Sequence, residues 1–216
     1  MQNVVKNAKE FGKQTERYDG VEANLRGRLP HGGVLLGGVS VGRTSTDNCE
    51  VARNLPEANI VGTTVTPLQN CHNAPPWSAG TQFRLSGLFT LPGDVRVSGT
   101  YQNIAGIATT ASYVVGNAQV LAGLGRNLSG GGNPTRTIDL IRPNSFYPEG
   151  RGNQIDFRVS RRFQLNRMRV EPQFNIYNLT NANDVVSQTT RYGTAWQNVT
   201  GVLPPRMVKL GVQVDF

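Results

Sequence analysis

Thiol and imidazole groups are scarce in this chain: two cysteines, Cys49 and Cys71, and two histidines, His31 and His72, among 216 residues. That scarcity excludes a disulfide-dense miniprotein and a multi-cysteine zinc module, and it leaves little from which to build a histidine metal or catalytic centre. Charge is sparse as well, at 17% Asp, Glu, Lys and Arg, where an ordinary soluble domain carries about 25%. The longest apolar stretch, from Gly33 to Val41, is about half of the roughly 18 residues that a membrane-spanning helix needs. The opening MQNVVKNAKEFGKQ is basic but has no apolar centre, so it does not read as a secretory signal. The chain is therefore expected to be either cytosolic or a piece of something longer. Glycine is plentiful, at 25 residues, and basic residues exceed acidic ones by 22 to 14, a net charge of +8.

The dominant pattern has period two, the signature of strands with one apolar and one polar face. Val21, Ala23, Leu25 and Leu29 alternate with Glu22, Asn24, Arg26 and Arg28. After a turn at Pro30 to Gly33, Leu35, Val39 and Val41 alternate with Leu36, Gly38, Ser40 and Gly42. Phe83, Leu85, Phe89 and Leu91 oppose Gln82, Arg84, Ser86 and Thr90, and beyond Pro92-Gly93-Asp94 the residues Val95, Val97 and Tyr101 oppose Arg96, Ser98, Thr100 and Gln102. A third hairpin sets Ile155, Phe157, Val159 and Phe163 against Asp156, Arg158, Ser160, Arg162 and Gln164. It turns near Asn166 and returns through Met168, Val170, Phe174 and Ile176. Val208, Leu210, Val212, Val214 and Phe216 form the last apolar stripe.

About seven strands of roughly ten to twelve residues result, longer than the five or six usual in soluble sheets and close to the nine to eleven of a tilted bilayer-spanning strand. Short turns alternate with long polar connectors over 44–80, 106–153 and 179–205. Short turns at one end and long loops at the other mark a transmembrane β-barrel. The pattern predicts an all-β fold: an antiparallel transmembrane β-barrel portion with short periplasmic turns and long extracellular loops. Single-chain bacterial barrels close with even strand numbers, so seven strands are expected to be incomplete. Residues 1–17 are then a polar loop or truncated upstream segment, and 18–216 the barrel segment. Arg26, Arg28, Arg84, Arg96, Arg158 and Arg162 are expected to face a polar lumen, where they would favour anionic solutes or an acidic plug. They form no basic run and have no aromatic stacking platform, so no nucleic-acid partner is expected.

Three stretches carry a family resemblance: Asn153-Gln-Ile-Asp-Phe-Arg-Val-Ser-Arg-Arg-Phe163, Val170-Glu-Pro-Gln-Phe-Asn-Ile-Tyr-Asn-Leu-Thr-Asn181 and Val208-Lys-Leu-Gly-Val-Gln-Val-Asp-Phe216. Together they resemble the last strands of TonB-dependent outer-membrane receptors, in particular the Oar-like members with a carboxypeptidase-regulatory-like domain. The resemblance implies a barrel of about 22 strands around a plug, importing a scarce nutrient with energy coupled through TonB. It implies outer-membrane lipid and the barrel-assembly machinery as partners, the latter reading Val208, Leu210, Val212, Val214 and Phe216. The ligand would be an unknown small molecule, sugar or peptide. The plug and the TonB-contacting box are not among these residues, so TonB would engage only through a missing N-terminal part. With the C-terminus periplasmic, the turns at Pro30, Pro92 and Asn166 are periplasmic and the connectors face outward.

Cys49 and Cys71 lie in the first connector, where a disulfide would close a loop of about 23 residues; the nearby His72 leaves a poor zinc signature. Gly123 to Gly132 lacks the Lys-Ser/Thr pair and strand-to-helix setting of a phosphate cradle and reads as a flexible loop. Asn127, Asn178 and Asn198 head N-x-Ser/Thr triplets. No Ser-His-Asp or Cys-His arrangement is apparent, so neither catalysis nor a cofactor is expected. Pro172 interrupts a strand and predicts a bulge. Arg161, on the apolar face, is expected to snorkel from near the turn. Two rivals remain: a soluble β-sandwich adhesion or carbohydrate-binding module, and a small complete outer-membrane barrel or porin. The latter would recruit an eighth strand from 1–17 or 107–141.

Overall fold

The period-two segments are strands in the computed structural model, which describes residues 6–61, 64–129 and 134–216. Seven long strands lie side by side in chain order: β1 (Thr15–Leu29), β2 (Gly33–Asp47), β3 (Gln82–Leu91), β4 (Val95–Ala105), β5 (Arg151–Arg161), β6 (Met168–Tyr177) and β7 (Met207–Asp215). After Arg162, Phe163–Leu165 continues β5 along β6, and the short His72–Asn73 strand adds to the end of β2. Every pairing within this sheet is antiparallel. The turns fall where Pro, Gly and Asn punctuate the sequence, with left-handed backbone at His31, Gly93, Asp94 and Asn166.

Register preserves the alternation across the whole wall. Val21↔Val41, Val39↔Phe83, Leu85↔Tyr101, Val97↔Val159, Val159↔Phe174 and Phe174↔Leu210 follow one another on the apolar face. Among the described residues no second layer covers that face: Val21 is 75%, Phe83 38% and Leu210 77% exposed. The face-to-face packing that defines a sandwich is therefore not present. The sheet is open, because β1 and β7 do not pair with each other. Among the described residues, neither 1–17 nor 107–141 supplies an eighth wall strand beside them. The described part of the first segment holds the Ala8–Glu10 turn and the start of β1, while Ser112–Gly116 and Thr135–Asp139 pair with each other in a separate sheet. Among the described residues no helix is long and apolar enough to cross a membrane.

Two boundaries move. β1 begins at Thr15 rather than Tyr18, and β2 runs on to Asp47, because Thr15 to Arg17 pair with Ser45 to Asp47 through polar side chains that carry no apolar periodicity. The predicted bulge at Pro172 does not form. Pairing leaves off at Ser160↔Gln173 and resumes at Phe163↔Val170 with equal residues on both strands, so the ladder opens without slipping. The freed Arg162 N–H donates to the Asp94 carbonyl at 3.2 Å.

The connectors are ordered into a cap at the end opposite the turns. Ile60–Val61, Thr64–Val65, Thr135–Asp139 and Ser112–Gly116 form a four-stranded sheet joining the first two connectors. Val185–Gln188 and Val199–Val202 form a hairpin in the third. Among the described residues, the buried apolar side chains, Val51, Ala52, Ala111 and Val115, all belong to this cap. Residues 130–132 of the glycine-rich stretch lie outside the described residues, and Gly123 and Leu124 end the Asn117–Leu124 helix.

Candidate functional site

The polar face of the wall is a connected network. The Gln102 amide donates to Gln154 Oε1 at 2.8 Å, and Gln154 Nε2 donates to Asp156 Oδ1 at 3.1 Å. Asp156 Oδ1 also accepts the Asn178 backbone N–H at 2.9 Å, joining the wall to the third connector. Arg158 donates through Nε to Asn175 Oδ1, and Asn175, 4% exposed, donates on to the Lys209 carbonyl at 3.3 Å. Nearer the turns, Glu171 lies 3.7 Å from Arg96 and 3.6 Å from Arg162.

Register places all six sequence-predicted arginines on this face. Arg26 and Arg28 pair with Leu36 and Val34, Arg84 with Gln102, and Arg96 and Arg158 with Ser160 and Ser98; Arg162 joins through Glu171. They are spread along the wall rather than gathered into one site. Two hollows lie on the face, of about 360 and 650 Å³. Ser98, Arg158 and Asn175 line the first, and Glu22, Arg26, Arg84 and Gln102 the second.

Cys49 and Cys71 are joined in a disulfide, Cα atoms 4.8 Å apart, that staples the first connector. Beside it His72 Nδ1 lies 3.2 Å from Asp47 Oδ2. No group of metal-ligating side chains occurs among the described residues. Of the triplet asparagines, Asn178 is 3% exposed and fully engaged: Nδ2 donates to the Ala182 and Pro204 carbonyls at 2.8 and 2.9 Å, and Oδ1 accepts the Ala182 N–H at 2.8 Å. Its role is to turn the chain from β6 into the cap. On the last strand, Val208, Leu210, Val212 and Val214 lie on the apolar face opposite Ile176, Phe174, Pro172 and Val170, and Phe216 is fully exposed.

Arg161 lies on the apolar face opposite Val95 at the turn end, its guanidinium 4.9 Å from the Phe163 ring centre, a cation–π contact that shields the charge.

Sequence reading missed the residues that seat the cap on the wall and those that join its connectors to one another. Arg151 donates to the Ser78 and Thr81 carbonyls at 2.8 and 2.7 Å and to Asn103 Oδ1 at 2.6 Å. Arg43 stacks 4.7 Å from the ring centre of Trp77. The Trp196 indole donates to the Thr110 carbonyl at 3.0 Å and, with Tyr192 and Tyr113, makes an aromatic run across the second and third connectors. Their partners are distant in sequence, so no local spacing announces them. No protein-family model and no curated protein matches this chain.

Proposed function

We propose that this chain is part of an outer-membrane β-barrel of the TonB-dependent receptor type, whose connector cap faces the outside and takes part in binding a nutrient. The observation that carries the reading is the pairing of an uncovered apolar sheet face with a polar face on the same strands. In water that apolar face would be a large aggregation-prone surface, whereas against acyl chains it is satisfied. Lipid also requires every backbone donor and acceptor to be paired, so the open edges of β1 and β7 must meet further strands. The arginine-rich polar face would then line a lumen and favour an acidic plug or an anionic solute. The C-terminal stripe ending in Phe216 would serve as the barrel-assembly signal. The resemblance noted for β5, β6 and β7 supports a receptor over a simple porin.

Intact cells expressing the chain in its natural full-length setting test this. A membrane-impermeant maleimide should label Leu124→Cys, on the cap, and spare Arg167→Cys, in a turn, until the cells are lysed. Labelling of Arg167→Cys on intact cells, or protection of both sites, would overturn the reading.

A further inference from the structure

The apolar face of the wall carries a groove where the ladder between β5 and β6 is open. Between the Phe174–Leu210 pair and Phe163 stand the shorter Pro172 and Val212, opposite each other, and they leave a hollow of about 770 Å³. Val95 and Arg161 border it on the side of β4. Arg161 is the last residue of β5 and faces Val95, the first of β4, so its charge stands where the strands give way to the turn. The exposed guanidinium extends toward that turn, Nη2 coming within 3.8 Å of the place a Cβ would take on Gly93. The Phe163 ring lies against it, but among the described residues no acid lies within ion-pair distance and no hydrogen bond engages the side chain. Its neighbours on the polar face, Arg96 and Arg162, share Glu171 instead.

We propose that this groove is a binding site for an anionic phospholipid, one acyl chain lying over Pro172 and Val212 and the headgroup phosphate meeting the Arg161 guanidinium. An arginine at the edge of an acyl-facing surface extends to the headgroup layer, and its planar fork matches two phosphate oxygens. The groove by itself would take any acyl chain and the guanidinium any anion; side by side they select a molecule that carries both. No acid within ion-pair distance of Arg161 offers a partner to a choline or ethanolamine ammonium, so a headgroup of net negative charge is favoured. The inference rests on the receptor reading in taking the apolar face to meet lipid.

The test places a bimane fluorophore in the full-length protein at Leu91→Cys, which pairs with Val95 beside the groove, and separately at Leu29→Cys, at the turn end of the edge strand β1. Each labelled protein is set in phosphatidylcholine bilayers containing a small fraction of brominated phosphatidylglycerol or brominated phosphatidylcholine. Quenching at Leu91→Cys should favour phosphatidylglycerol by about fivefold, while quenching at Leu29→Cys should be nearly indifferent to headgroup. Arg161→Gln should abolish the preference, and Val212→Trp, which fills the groove and leaves the charge, should reduce it by about twofold or more. Unchanged quenching at Leu29→Cys in each variant shows that the wall is intact. Sodium phosphate should act no more strongly than sodium chloride of equal ionic strength. Equal quenching by both lipids at Leu91→Cys, a preference unchanged in Arg161→Gln or Val212→Trp, or specific displacement by free phosphate would overturn the site, and the receptor reading stands as long as both positions are quenched. If neither brominated lipid quenches either position, the apolar face does not meet acyl chains, and the receptor reading fails together with the site.

Discussion

The Ser160 hydroxyl donates to Glu171 Oε1 at 2.8 Å, joining β5 to β6 where the ladder between them is open at Pro172. Ser160 is 5% exposed, and the second Glu171 oxygen faces Arg96 and Arg162. A side chain thus supplies the cross-strand link that the proline withholds. Glu171→Ala leaves a buried hydroxyl and two guanidinium groups without their partner and should destabilise the wall by about 2 kcal/mol. Glu171→Gln keeps the Ser160 bond and should cost about half as much. Urea unfolding midpoints in one detergent check both values.

Asn178 closes the step from wall to cap with three side-chain hydrogen bonds in a left-handed backbone, φ 51°. Asn178→Ala should destabilise the third connector by about 3 kcal/mol, read as faster hydrogen exchange over Val185–Gln188. Exchange in β3 and β4 should stay unchanged.

Reducing Cys49–Cys71 removes a constraint worth about 3 kcal/mol in the chain-entropy model. The cap should loosen around the Cys49–Asn54 helix, which also holds the N-terminal segment through Glu50 accepting the Lys13 N–H at 2.8 Å. Without reductant, alkylation should find no free thiol; after reduction it should find two.

Asp139 sits in the cap sheet, where burial raises its carboxyl above the ordinary aspartate pKa. The folded state therefore holds this proton more tightly than the unfolded chain. Its contribution to stability is fully present below the unfolded pKa and is lost as pH rises through the folded one. Asp139→Asn should make the cap less sensitive to pH in that window and more stable at neutral pH than the parent, measured as thermal unfolding midpoints across a pH series.

The wall was legible because each strand writes its two faces into consecutive residues. Val95, Val97 and Tyr101 against Arg96, Ser98 and Thr100 fix both the strand and its orientation, and Pro92 and Gly93 fix the turn. Strand ends were legible only where that contrast persists, so Thr15 to Arg17 and Ser45 to Asp47, polar on both faces, escaped notice. The cap was opaque for a different reason. Its strands are two to five residues long, too short for a period to show, and its pairings are remote, such as Thr64↔Thr137 and Ser112↔Asp139. Pro172 predicted a disturbance correctly in place but not in kind, because the Ser160–Glu171 bond lets the register continue. The disulfide was readable from having only two cysteines, both in one connector.

The central claim is that the apolar face meets acyl chains. Nitroxide labels placed singly at Val39, Phe83, Val97, Val159 and Leu210, and at Ser40, Ser98, Gln102 and Lys209, measure this directly in lipid bilayers. The first set should collide preferentially with dissolved oxygen and the second with a water-soluble nickel chelate, alternating along each strand. Apolar-face labels sheltered from both reagents, as inside a protein core, or open to the nickel chelate, as in water, would contradict it.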